Sequence, residues 1–421
     1  MSVLPQLFAV RQKFASHALD DLTSAVHSAL DGQSSELPIQ PGQSVAVAVG
    51  SRGIANLPTL VRGVVDWIKA KSGVPIIVPA MGSHGGATGE GQAKVLRGLG
   101  VEPTTMGCPI RSSMETVEIG KVDGGLPVFC DANAQVCDHI IVVNRIKPHT
   151  RLTGALQSGL AKMLLIGLGK HCGAVAYHEM FAESNYCLDS VAPRALPVLL
   201  AGAPVRLGLA VIEDAFEQTS HVEAVPARQI LTREIELQRM AASWMPSLPF
   251  DEVDLLIIDQ IGKEISGTGM DTNVVGRKWH DKVPGPDETP RVEQIYVRGL
   301  TRQTSGNACG IGIAEYCRTQ VVRDMDQQAT WVNCLTGRHV TAAAVPMHFE
   351  TDREVLQTAL SQVRDGNPDQ ARWMWIGDTL RLGELRCSEA YLSEAEQRSD
   401  LDVIAAPQPI VFDREGQLSS W

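Results

Sequence analysis

The sequence predicts an α/β protein made of two α/β domains, each built on a mostly parallel sheet. Three observations point there. Short apolar runs alternate with amphipathic segments along nearly the whole chain, the pattern of strands joined by crossover helices. The segment Trp244-Met245-Pro246-Ser247-Leu248-Pro249 interrupts that alternation with two prolines and a loss of periodicity. The 421 residues, 44% hydrophobic and 20% charged, suffice for more than one core. Domains are therefore expected over residues 1–245 and 246–421.

In order, residues 6–31 place Leu7, Val10, Phe14, Leu19, Leu22 and Val26 near helical spacing and predict an amphipathic helix. Ser44 to Val49 reads as a strand ending in Gly50-Ser51-Arg52-Gly53, and Leu57 to Ala70 as a helix. Val74 to Pro79 is the next strand, followed by a glycine-rich loop, Gly82 to Gly91, and a helix from Gln92 to Leu99. Around Ile119 to Phe129 the turn signal Asp123-Gly124-Gly125 suggests a hairpin. Ile140 to Val143 is a buried strand, and Pro148 stops regular structure just beyond it, which puts His149 in a loop at a strand's carboxyl end. Val205 to Val211 reads as a strand and Thr219 to Ala242 as a long helix. The second half begins with a strand, Val253 to Asp259, that leads into another glycine-rich loop, Gly262 to Asn273. A strand at Ile295–Leu300, a helix opening at Ser305, a helix at Arg353–Val363 and a strand carrying Trp373 and Trp375 complete the pattern.

The net charge of −11 argues against a nucleic-acid partner or an anionic membrane surface. No apolar run approaches the length of a membrane span. Nine scattered cysteines without a CxxC pair read as reduced thiols of a cytoplasmic protein and weaken a structural zinc site. No signal peptide is evident at the N-terminus.

In an open α/β sheet, ligands bind outside the carboxyl ends of the strands, and several reactive side chains fall there. Arg52 is either a solvated turn arginine or a carboxylate clamp, since guanidinium pairs with carboxylate bidentately. The Gly82–Gly91 loop has the strand–glycines–helix arrangement that cradles phosphate on backbone amides and a helix N-terminus. It is neither a GxGxxG fingerprint nor a Walker A loop. Glycine turns need no histidine, so His84 within it suggests a function. Lys162 follows Ser158-Gly159-Leu160-Ala161 in an apolar setting, where a lysine has little surface role. His139 and His280 read as structural or surface groups, and His171 as exposed.

Taken in order, Gly50-Ser51-Arg52, Gly82-Ser83-His84, Pro148-His149, Ser158 to Lys162 and His178 resemble the motifs of the nickel-pincer lactate racemase family of 2-hydroxy-acid racemases and epimerases. Lys162 and His178 stand 16 residues apart (178 − 162), the family's separation. The 13 residues from His149 to Lys162 (162 − 149) are slightly more than the family has, which implies a short insertion. The resemblance implies an isomerase whose cofactor is a pyridinium mononucleotide with thioamide and thiocarboxylate arms gripping Ni(II). Lys162 would tether it and His178 would be the nickel ligand, a neutral imidazole suiting the fourth position of a square-planar site. Ser83, Gly85, Gly86 and Thr88 would hold its phosphate. His84 and His149 would act as base and acid on opposite faces of the substrate carbon while hydride moves to and from the cofactor, with Arg52 on the substrate carboxylate. The implied site is an interdomain active-site cleft. Implied partners are a small 2-hydroxy acid and the proteins that build the cofactor; homo-oligomerisation is left open.

The second half departs from the family. Val275 and Gly276 stand where the family has an aromatic residue and an amide, so a hydroxy acid larger or more polar than lactate is expected. Lys263, Arg277 and Arg298 are candidates for its extra polar groups, or are solvated charges. Two further readings stay open. One is a non-catalytic binding protein for an anionic metabolite on the same scaffold. The other is metal-dependent hydrolysis or dehydration, which the lack of a clustered motif such as HExxH makes weaker.

Overall fold

The structure is a computed structural model. It describes residues 4–419 apart from 52, 123–124, 184–185, 287 and 364–366, with the side chains of 178, 179 and 181–183 also left undescribed. The chain divides into two compact units, one formed by Ala15–Met245 and the other by Met1–Phe14 with Pro246–Trp421. Both are α/β with mostly parallel sheets.

In the Ala15–Met245 unit, five strands lie in the order Val74–Pro79, Ser44–Val49, His139–Arg145, Val205–Glu213, Thr219–Pro226. The first four run parallel, and the fifth is antiparallel to the fourth. Side chains alternate across this sheet. Val45, Val47 and Val49 face one core, with Leu57, Leu60, Val61, Val64 and Ile68 of the helix Leu57–Ala70 packed on them. Ala46, Ala48, Ile140 and Val142 face the other, under Leu160 to Leu168, Leu196, Leu199, Ile230 and Leu237. Helices thus cover both faces. From Ser44–Val49 the chain crosses outward to one neighbour, and from His139–Arg145 it crosses the opposite way. Between these two strands lies the topological switch point of a doubly wound sheet, where a crevice opens at the carboxyl ends.

The other unit has eight strands in the order Met347–Phe349, Tyr316–Arg318, Arg291–Val297, Glu252–Ile258, Trp373–Ile376, Glu384–Ser388, Leu7–Gln12, Leu401–Gln408. The first five are parallel and the last three join antiparallel. Its switch point falls between Glu252–Ile258 and Trp373–Ile376.

Several expectations are corrected here. Residues 6–31 are not one helix. Leu7–Gln12 is a strand between two others, buried at Leu7, Phe8 and Val10, and so grouped with the C-terminal unit rather than with residues 15–245. A separate helix, Leu22–Asp31, begins at Asp21, whose carboxylate caps Ser24 N at 3.0 Å. The stretch from Thr219 to Ala242 is a strand, Thr219–Pro226, and then a helix, Ile230–Trp244; the strand pairs with 207–213, and pairing overrode its neutral helical pattern. Ser305 opens turns rather than a helix. The hairpin around 119–129 is present as Thr116–Lys121 with Pro127–Asp131, but Asp123 and Gly124 of its turn lie outside the described residues.

Candidate functional site

Three loops leave the carboxyl edge of the first sheet near its switch point. They carry Ser51 after Val49, His84 after Pro79 and His149 after Arg145. Ser51 Oγ and His84 Nδ1 hydrogen-bond, so the first two loops meet side chain to side chain. Arg52 lies outside the described residues.

The His84 loop is tight because it must be. Gly82, Gly85 and Gly86 have φ of 59°, 66° and 66°, the left-handed region that side chains disfavour. A Cβ on Gly91 would sit 1.8 Å from Gly85 O. The loop therefore folds back onto the first turn of the helix Gly89–Gly98. Gly86 meets nothing within 4 Å and faces open space. Ser83 is half-buried and His84 is exposed. Thr88, expected to donate to a phosphate, is the N-cap of that helix. Its hydroxyl accepts from Gly91 N at 3.0 Å and donates to Gly85 O at 3.2 Å, so both its capacities serve the fold.

His149 is held by its own turn. Its Nδ1 accepts from Arg151 N and Leu152 N, each at 3.0 Å, and its amide donates to Gln157 Oε1 at 2.8 Å. Two donors on Nδ1 place the proton of the neutral ring on Nε2. The returning chain is fixed by Lys147 N on Ser158 O (3.0 Å), by Asn144 Nδ2 on Gly159 O (2.7 Å) and by the Asp189 carboxylate on the amides of Ala155 and Leu156 (2.7 Å each).

Lys162 is half-buried and closes the short helix Leu160–Lys162. A π-helical turn, Met163–Gly167, follows at once, with Leu168 N bonding Met163 O. Such turns are rare and recur at functional sites. This one packs beneath two of the loops. A Cβ on Gly50 would lie 2.4 Å from Met163 Cε, Gly82 N donates to Gly167 O at 3.2 Å, and a Cβ on Gly167 would lie 2.8 Å from Ala80 O. The turn after Lys162 is thus seated against the Ser51 and His84 loops. The helix Lys170–Glu183 comes next and carries His178 on its backbone; the His178 side chain lies outside the described residues.

Two buried charged residues near this edge drew no attention in the sequence. Glu234 is fully buried, and its Oε2 accepts from Ala161 N at 2.8 Å at the start of the lysine's helix, while its Oε1 has no hydrogen-bond partner among the described residues. Burial pushes its carboxyl up to about 7, against the two amides of Ala161 and Leu160, which lower it. Lys170 is also fully buried and ion-pairs with Asp131 at 3.0 Å. Nothing in the composition around Glu234 flags it; Lys170 could have been noticed as a lysine closing an apolar run.

The second unit answers differently from expectation. Arg277 is 1% exposed, and its guanidinium donates to Val292 O at 2.6 Å and Glu293 O at 3.0 Å, with Glu315 at 3.5 Å. It is an interior clamp whose Nη2 holds carbonyls at the start of the strand Arg291–Val297, while its Nε makes no hydrogen bond among the described residues. Lys263 Nζ bonds Gly267 O and Asn333 Oδ1 (2.7 Å) and braces its own loop. Arg298 pairs with Asp259 and Asp352. The group with chemical character is instead Lys278, whose Nζ bonds Asn273 Oδ1 at 3.3 Å beside Asp271. Burial lowers its pKa to about 8, opposed by the Asp271 charge. Trp373 and Trp375 are core residues, and His280 and His171 are exposed.

Among the described residues, no group of three or more His, Cys, Asp or Glu side chains is placed to hold a metal, and no helix is long and apolar enough to cross a membrane.

In a doubly wound α/β sheet the crevice at the switch point is where ligands bind, and the loops at that edge carry Ser51, His84 and His149 here. Residues 9–188, which span those loops, match the model of the lactate racemase N-terminal domain. Among solved structures, the chain is similar to the lactate racemase apoprotein from Thermoanaerobacterium thermosaccharolyticum, at 15% identity and a TM-score of 0.55 over 89% of this chain and 93% of that one. At that identity the likeness is one of fold. No curated protein matches the chain.

Proposed function

We propose that this protein is a racemase or epimerase of a 2-hydroxy acid, working with a nickel-pincer nucleotide tethered at Lys162 and ligated by His178. The observation that carries the reading is the seating of the π turn after Lys162 against the Ser51 and His84 loops. It brings the backbone of a half-buried primary amine to the same sheet edge as a serine-oriented imidazole. The donor set fits the group: an amine for an amide-type tether, an imidazole for a square-planar metal, and an open, left-handed Gly86 where a phosphate could approach backbone. When bound, the cofactor would accept and return the hydride of the substrate carbon.

The chain's own residues do the rest. Arg52 holds the substrate carboxylate. With Nδ1–H donating to Ser51 Oγ, His84 presents a lone pair at Nε2 and takes the substrate hydroxyl proton. His149 serves the opposite face. In its present turn it donates from Nε2. To take a proton there, its existing proton must move to Nδ1, and the amides of Arg151 and Leu152 must release that nitrogen. Ser83, Gly85 and Gly86 line the phosphate side, while Thr88 acts by capping the helix behind them. The proteins that build the cofactor are the expected loading partners.

The test is intact-protein mass with nickel analysis, on protein co-produced with the cofactor's biosynthetic enzymes. A mass increment lost in Lys162→Ala, with about one nickel per chain, supports the tether and leads to screening of hydroxy acids for racemisation. An unmodified, nickel-free chain, under conditions that load a lactate racemase, removes the pincer mechanism and leaves the binding-protein reading.

A further inference from the structure

Lys170 opens the helix that carries His178 and is fully buried, with a left-handed φ of 52°. A lysine in that conformation and place is unfavourable on both counts. Its ammonium nevertheless donates to Pro79 O at the end of a strand and to Gln92 Oε1 at 2.9 Å, and it ion-pairs with Asp131 Oδ2 at 3.0 Å. Gln92, also fully buried, passes the connection on, its Nε2 donating to Gly82 O at 2.9 Å and to His84 O at 3.3 Å. Asp131, fully buried, fixes the far side by accepting from Ala134 N at 2.9 Å. One ammonium thus joins the strand that feeds the His84 loop, the loop's own carbonyls through Gln92, and the start of the His178 helix.

A buried ion pair is a poor way to gain stability, because apolar residues of similar volume often serve as well. What this network adds is geometry: it ties the loop's carbonyls, through Gln92, to the residue that opens the helix. We propose that Lys170 is a positioning residue that holds the His84 loop in register with the helix bearing His178. The proposal rests on the roles given to those two histidines above; the mechanical coupling itself does not.

The experiment compares the full chain with Lys170→Met/Asp131→Leu, which removes both charges and keeps volume, and with Gln92→Met, which cuts only the relay and leaves the ion pair. Fold is followed by circular dichroism and coupling by amide hydrogen exchange without cofactor. The expected result is near-native melting, with exchange of peptides covering 82–92 faster by about tenfold or more and the strand 139–145 unchanged. On loaded enzyme, kcat falls while KM holds. Native exchange at 82–92 in Gln92→Met, or in a folded double variant, overturns the proposal. If the double variant does not fold, Gln92→Met decides alone. If exchange changes as expected but wild-type enzyme turns over no hydroxy acid, the coupling stands and the catalytic reading falls.

Discussion

Glu234 shows how much one side chain can hold at this edge. Its carboxylate caps the two-amide start of the helix that ends in Lys162, and Gly159 is glycine because a Cβ there would lie 2.3 Å from Glu234 Oε1. The cost is the burial of a charge. The carboxyl titrates near 7 when folded and near 4.5 otherwise. Between those values the folded chain keeps a proton that the unfolded chain has released, so stability falls as pH rises through the window and levels off above it. The full cost is on the order of 3 kcal/mol, from about 2.5 units at about 1.4 kcal/mol each. Glu234→Gln keeps an acceptor for Ala161 N and removes the charge. Its stability relative to wild type, from urea unfolding of the full chain, is expected to climb from pH 5 to pH 7.5 and then stay flat. A constant offset across that range would show that Glu234 does not titrate in the fold. The loops that carry His84 and His149 were legible in the sequence because loops after strands advertise themselves through glycine and proline. Glu234 and Lys170 act from inside, through partners 73 and 39 residues away (234 − 161 and 170 − 131), and no local pattern encodes that.

At the scale of elements, the His84 loop is the tightest piece of the site. Gly91→Ala would drive a Cβ into a backbone oxygen at 1.8 Å, which only a shift of the loop or the helix can relieve. A cost of roughly 2–4 kcal/mol is expected. Gly86→Ala meets open space and bears only its left-handed backbone, about 1–2 kcal/mol. Denaturant midpoints should rank wild type above Gly86→Ala above Gly91→Ala; equal costs would mean the loop does not pack on the helix as described. This loop was legible, since strand, glycines and helix follow in plain order. The π turn beneath it was not, because Met163-Leu164-Leu165-Ile166-Gly167 reads as any buried apolar run. The strand Thr219–Pro226 was misread for a related cause: its β-branched content is modest, and only pairing with 207–213 makes it a strand.

For the whole molecule, the alternation of elements conveyed two α/β units but not how the chain shares them. Leu7–Gln12 is an interior strand of the eight-stranded sheet, flanked by Glu384–Ser388 and Leu401–Gln408. Removing residues 1–14 takes away buried Leu7, Phe8 and Val10 and leaves two new sheet edges. At roughly 1.5–3 kcal/mol per buried side chain, that is about 5–9 kcal/mol, comparable with the whole stability of many domains. The truncated chain is expected to lose the calorimetric transition of the Pro246–Trp421 unit and keep that of Ala15–Met245. Retention of both would show the strand to be dispensable. The same strand sets an order of events during synthesis. Leu7 pairs with Ser388, 381 residues later (388 − 7), so at ribosomal speed it waits roughly 20–80 s for its partners. Throughout that interval the unit carrying the histidines and Lys162 can finish folding on the ribosome while an apolar strand trails from its front, a natural handle for a chaperone.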